Sequence, residues 1–151
     1  MSSVRSDAQS SGNVIRIGPV DGIVDVEEPM HVVVLGYGEV EDPFHVWVTE
    51  TNVELFERLR ELATGASWKE KRQIAVLVTE PPGGRANPDA VAAVESVRGA
   101  VLSLAVELGP AVRLNIVVAR QAADAAQVLR YLASPDADYV TGSTFDLRET
   151  A

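Results

Sequence analysis

The chain carries a series of short runs that are apolar at consecutive positions, at His31–Leu35, 46–48, 74–78 and 114–119, with a weaker one at 144–147. A strand with apolar side chains on both faces belongs in a sheet that is covered on both sides, and helices usually do the covering. Helical segments fall between the runs, so strand and helix alternate. That alternation predicts an α/β sandwich around a mainly parallel sheet. Ahead of it, Val14-Ile15-Arg16-Ile17 and Ile23-Val24-Asp25-Val26 flank the turn-rich Gly18-Pro19-Val20-Asp21-Gly22 and suggest a small hairpin. Residues 1–13, with five serines and little to bury, read as a disordered tail, leaving 14–151 as a single domain.

Three helices fit between the runs. Asn52 can cap one over 52–62, with Leu55, Phe56, Leu59 and Leu62 along one stripe. The second is the clearest element of the sequence. Asn87-Pro88-Asp89 supplies a cap, a proline at the first helical position and an acid for the positive end of the dipole, and Gly109-Pro110 ends the helix after Leu108. A third covers 122–133, with Ala125, Val128, Leu129 and Leu132 inward. The second helix has more apolar surface than one face against a sheet requires. Besides the stripe of Val91, Val94, Val97, Val101, Leu104 and Leu108, it carries Leu102 and Val106 on another side. A second subunit would cover that excess.

At 151 residues and 46% hydrophobic content the chain can build one core, and 5% aromatic residues make that core aliphatic. Thirteen Lys and Arg against 22 Asp and Glu give a net charge of -9, without the clustered cations that displace counterions from nucleic acid. The absence of Cys rules out disulfides and thiolate metal sites and suits a reducing cytoplasm. The apolar stretches reach only about five residues against the roughly 20 that span a bilayer, and the polar start lacks a secretory pattern. A cytoplasmic protein with neither nucleic acid nor membrane as partner is expected.

Residues 93–110, ending Ser103-Leu104-Ala105-Val106-Glu107-Leu108-Gly109-Pro110, and then Val112-Arg113-Leu114-Asn115-Ile116-Val117, resemble the active-site helix and following strand of the short-chain dehydrogenase/reductase family. Residues 125–142, ending Tyr139-Val140-Thr141-Gly142, are similar to that family's penultimate helix and its entry into the last strand. From Met30 to Glu80 the match is looser, with the run before Thr79 in the place of the strand that carries the catalytic serine. The resemblance implies a Rossmann-like domain, truncated relative to a full short-chain dehydrogenase. His31–Leu35 could stand for the first or the fourth strand of the family.

The resemblance also shows what is missing. The family's chemistry uses a tyrosine as general acid/base and a lysine four residues later. Those positions fall on Ala90 and Val94, neither of which can ionise. The serine position falls at Thr79, a weak candidate on its own. Leu35-Gly36-Tyr37-Gly38 is the one glycine turn after a strand; it lacks a third glycine, and Glu39, Glu41 and Asp42 behind it would repel a pyrophosphate. The proline, glycine and substrate loop that follow the strand in the family are absent after Ala119, and Gly83-Gly84 with Arg85 reads as a loop launching the second helix. His31 and His45 have no Cys partner and suggest structural roles rather than a metal site. Lys69, Lys71 and Arg72 read as a solvated basic loop.

The sequence therefore points to a non-catalytic subunit, with no catalytic, metal or cofactor residues of its own. It would assemble with, and stabilise or regulate, an active short-chain dehydrogenase/reductase. The preferred partner is a full-length enzyme of that family, the other option being a second copy of the chain. The resemblance implies association through a four-helix bundle and through C-terminal strands, which places Leu55, Leu59, Val91, Arg98, Leu102 and Val106 at an interface. The alternative is a subunit of a composite NAD(P)-dependent active site completed by a partner chain, to which Thr79 and Asn115 would contribute. A third reading is a binding module with a crevice at the strand ends.

Overall fold

The two longest apolar runs become the centre of a sheet. In the computed structural model, which describes residues 6–7, 14–18, 30–36, 44–67, 69–81 and 83–148, strands β4 (Arg72–Thr79) and β5 (Val112–Ala119) pair in parallel along their whole length, Arg72 opposite Val112 and Thr79 opposite Ala119. Strand β3 (His31–Leu35) lies on the other side of β4, and β2 (Val14–Ile17) beyond it, all parallel. Strand β6 (Thr144–Asp146) extends the sheet past β5, and β1 (Ser6–Asp7) closes the far edge antiparallel to β2. The spatial order is thus the order of the sequence, β1-β2-β3-β4-β5-β6.

Alternation along the strands divides the core into two layers. Val33, Leu35, Ile74, Val76, Val78, Leu114 and Ile116 face helices α1 (Phe44–Ala63) and α2 (Pro88–Leu108). Val32, Val34, Ala75, Leu77 and Val117 face α3 (Ala126–Ala133) and the 3-10 turn before it. Helices α1 and α2 connect strands that step the same way across the sheet and lie on one face, so their crossovers share a hand. Helix α3 connects β5 to β6, one more step in that direction, from the opposite face. Its crossover therefore has the opposite hand, and one of the two hands must be the left-handed one found in about 2% of such connections.

Three expectations need correction. Residues 46–48 are helical, because α1 starts at Phe44. Val48, Thr51, Leu55, Leu59 and Leu62 recur at helical spacing against the α1/α2 layer, and this longer stripe overrides the β preference of two valines. Asn52 consequently lies inside the helix and caps nothing; its side-chain amide donates to Ser96 Oγ on α2 at 2.8 Å. Within the expected tail, Ser6–Asp7 form an edge strand, and their pairing gives Val14–Ile17 an antiparallel partner other than 23–26, which lies outside the described residues.

Helix α2 has the predicted bounds. Asn87 Oδ1 accepts from Asp89 N at 3.0 Å, and Gly109 follows the last turn. The third helix is divided: a 3-10 turn at Ala122–Ala125, closed by a reciprocal Gln121/Asp124 capping box, leads into α3.

Candidate functional site

In parallel α/β sheets ligands sit beyond the carboxyl ends of the strands, so that edge is where a site would be built. The ends of β2 and β3 are joined there by Gly36 N donating to Ile17 O at 2.9 Å. Gly18, at φ 75°, allows the approach: a Cβ on it would stand 2.5 Å from the Gly36 carbonyl oxygen. Thr79, at the end of β4, donates its hydroxyl to Leu35 O at 2.9 Å, so the donor a serine would offer a substrate is committed to the backbone of β3.

Ion pairs occupy the other half of the edge. Arg148, just past β6, forms a two-pronged contact with Asp146, Nε to Oδ1 at 2.9 Å and Nη2 to Oδ2 at 2.7 Å, while Glu80 past β4 stands 4.0 Å from Nε. The hydrogen bond that Arg148 donates to Asp146 raises the Arg148 pKa, with Glu80 and Glu95 adding to it against partial desolvation. The Glu80 carboxylate lies against Gly84, where a Cβ would be 2.6 Å from Oε1.

Ala90 and Val94, at 4% and 3% exposure, are packed on α2 inside the core. Asn115 is fully buried and holds the loop before β6 from two sides: Nδ2 donates to Val140 O at 3.0 Å, and Oδ1 accepts from Ser143 N at 3.0 Å. The Thr79 hydroxyl hydrogen is thus held by Leu35, and Asn115 has no exposed surface. Leu55 and Leu59, expected at an interface, are fully buried in their own subunit between α1 and the sheet. Of the remaining interface candidates, Val91, Arg98 and Val106 are exposed and Leu102 is half-buried. Among the described residues no group of three His, Cys, Asp or Glu side chains could hold a metal ion, and no helix is long and apolar enough to cross a membrane.

No protein-family model matches the sequence, and no curated protein matches it. Solved structures do. A short-chain glucose/ribitol dehydrogenase from Brucella melitensis superposes with a TM-score of 0.55 at 19% identity, over 78% of this chain and 62% of that one. A 4-hydroxyisoleucine dehydrogenase complexed with NADH and succinate gives 0.58 at 22%, over 78% and 66%. The 3-ketoacyl-(acyl-carrier-protein) reductase of Brucella melitensis, complexed with NADH, gives 0.54 at 20%, over 78% and 65%. The chain has a short-chain dehydrogenase/reductase fold. It spans less than two thirds of the length of each of these structures.

In the order 3-2-1-4-5-6, strand 1 has later strands on both sides, whereas β3 has the earlier β2 on one side, so the neighbourhood of His31–Leu35 is not that of the first strand. A nicotinamide nucleotide bound as this fold implies would lie across the edge described above. The described residues there do not fit it: Ala90 and Val94, at the positions the resemblance gives to the tyrosine and lysine, are aliphatic and buried, and Thr79 is bonded to Leu35. The sequence drew attention to Thr79, Ala90 and Val94 but missed the ion-paired cluster of Glu80, Asp146 and Arg148. Its signal is Asp146-Leu147-Arg148, alternating charge directly after a short apolar strand.

Proposed function

We propose that the chain is a non-catalytic subunit that assembles with, and stabilises or regulates, an active short-chain dehydrogenase/reductase. The observation that carries this reading is the pair Ala90 and Val94, aliphatic and buried on the helix that would otherwise present the proton donor and its lysine. A methyl or isopropyl group neither donates a proton nor lowers a neighbour's pKa. The outward face of α2 supports the assembly half of the reading. Val106 is 85% exposed and Val91 40% exposed, and both lie on a line with Leu102 and Arg98 at helical spacing. Burying each of the three aliphatic side chains in a partner would contribute up to about 2 kcal/mol, less the ordering cost of association.

Sedimentation velocity on the chain alone and co-expressed with a full-length short-chain dehydrogenase/reductase tests the proposal. A complex of fixed stoichiometry with the enzyme, changing that enzyme's stability or turnover, is the expected result. A chain that remains monomeric in both preparations overturns it.

A further inference from the structure

The opposite edge of the sheet holds a feature that the proposed assembly does not use. At the amino ends of β3, β4 and β5, on the α3 side, is a cleft of about 560 Å³, within the size range of small-molecule sites. Met30 and Leu132 form its apolar floor, and Gln73, Arg113, Lys71 and Tyr139 supply its polar wall. In a protein of net charge -9, Lys69 and Arg72 also line it, and Asp138 is the one acid among its described lining residues, so these residues concentrate positive charge.

Two of the wall residues lack the partners that burial ordinarily demands. Arg113 is 8% exposed, and among the described residues its guanidinium forms no hydrogen bond or ion pair. Its recorded contact is with the Tyr139 ring, 5.6 Å from guanidinium carbon to ring centroid. Lys71 stands 6.0 Å from the same centroid, so two like charges share one aromatic ring, and neither is ion-paired among the described residues. A buried guanidinium without an anion is a costly arrangement, and its planar array of donors suits a phosphate oxygen pair. Gln73 is the neighbour of Arg113 across the β4/β5 ladder. Its amide nitrogen donates to Leu132 O at 2.6 Å, which fixes the orientation of the amide and leaves Oε1 buried with no donor. The cleft therefore offers an anion-binding group beside an unfilled acceptor.

We propose that this cleft binds a small hydroxylated phosphomonoester, with Arg113 and Lys71 holding the phosphate and Gln73 Oε1 accepting a hydrogen bond from a ligand hydroxyl. It lies at the end of the sheet opposite to the nucleotide edge and does not depend on the assembly proposed above.

Binding of glycerol 3-phosphate, inorganic phosphate and glycerol to the full chain, followed by amide chemical shifts and by thermal unfolding at low ionic strength, tests the assignment. Glycerol 3-phosphate should shift resonances of Gln73, Arg113 and Tyr139 saturably and raise Tm, binding more tightly than either fragment. Arg113→Met should weaken binding at least about tenfold, the loss expected of a charge-assisted contact. It should also leave the Tm of the ligand-free protein unchanged or higher, because it removes a buried charge that lacks a partner. That second readout separates a ligand-binding arginine from a structural one. Gln73→Leu should abolish the preference for glycerol 3-phosphate over inorganic phosphate, a ratio that survives any general destabilisation. The proposal fails if glycerol 3-phosphate produces no saturable shift at millimolar concentrations. It fails equally if Arg113→Met lowers the ligand-free Tm and leaves binding intact.

Discussion

The residues that matter most here are those whose polar groups are already committed. Asn115 sits in the middle of β5 with no exposed surface, a position that would suit an aliphatic side chain, and its amide instead satisfies one carbonyl and one N–H of the segment that leads into β6. Thr141 assists by accepting from Leu114 N at 3.0 Å. Asn115→Ala leaves Val140 O and Ser143 N without these partners and opens a small void. A loss of about 2–4 kcal/mol in urea unfolding is expected, together with faster amide exchange at Ser143. A change below about 0.5 kcal/mol, the range of surface substitutions, would show that water replaces the amide without cost. The sequence marked Asn115 through its place in the strand but could not give its role. Its partners lie 25 and 28 residues downstream, and single-sequence patterns carry no such pairing.

At the level of elements, legibility followed the strength of local signals. Helix α2 was legible to the residue because Asn87, Pro88 and Gly109 act within one turn of the ends they define. Strands β3, β4 and β5 were legible because an apolar run flanked by polar residues is a local pattern. The start of α1 was not, since Val46 and Val48 carry β propensity and only packing against the sheet decides for the helix. Burial also redistributed the apolar circumference of α2: Ala93 and Ala105 belong to the core, which leaves Val91, Leu102 and Val106 as its outward aliphatic groups. Leu102→Glu and Val106→Glu place carboxylates on that face. If the face is an interface, the double variant should sediment as a smaller species, with unfolding free energy of the dissociated chain within about 0.5 kcal/mol of the parent, as for surface substitutions. Unchanged mass would leave α2 with an ordinary surface and remove the support for a partner there.

Across the whole molecule, the sheet separates two chemically different edges, and the sequential strand order is what separates them. Every strand from β2 to β6 runs the same way, so all their carboxyl ends meet at one edge and all their amino ends at the other. The carboxyl edge is closed between β2 and β3 by backbone contact and is occupied beyond β4 by the ion-paired Glu80, Asp146 and Arg148. The amino edge gathers Lys71, Arg113 and their basic neighbours. None of this polarity was visible in the net charge, because it depends on which strand end each charged residue occupies. The prediction for the nucleotide belongs to the carboxyl edge. At the carboxyl edge a nicotinamide ribose would find Val94 in place of an ammonium group, and a carbonyl would find the Thr79 hydroxyl already bonded to Leu35. Calorimetry of the isolated chain with NADH should therefore show no saturable heat at sub-millimolar concentration. Micromolar binding would overturn this argument and return the carboxyl edge to consideration as a cofactor site.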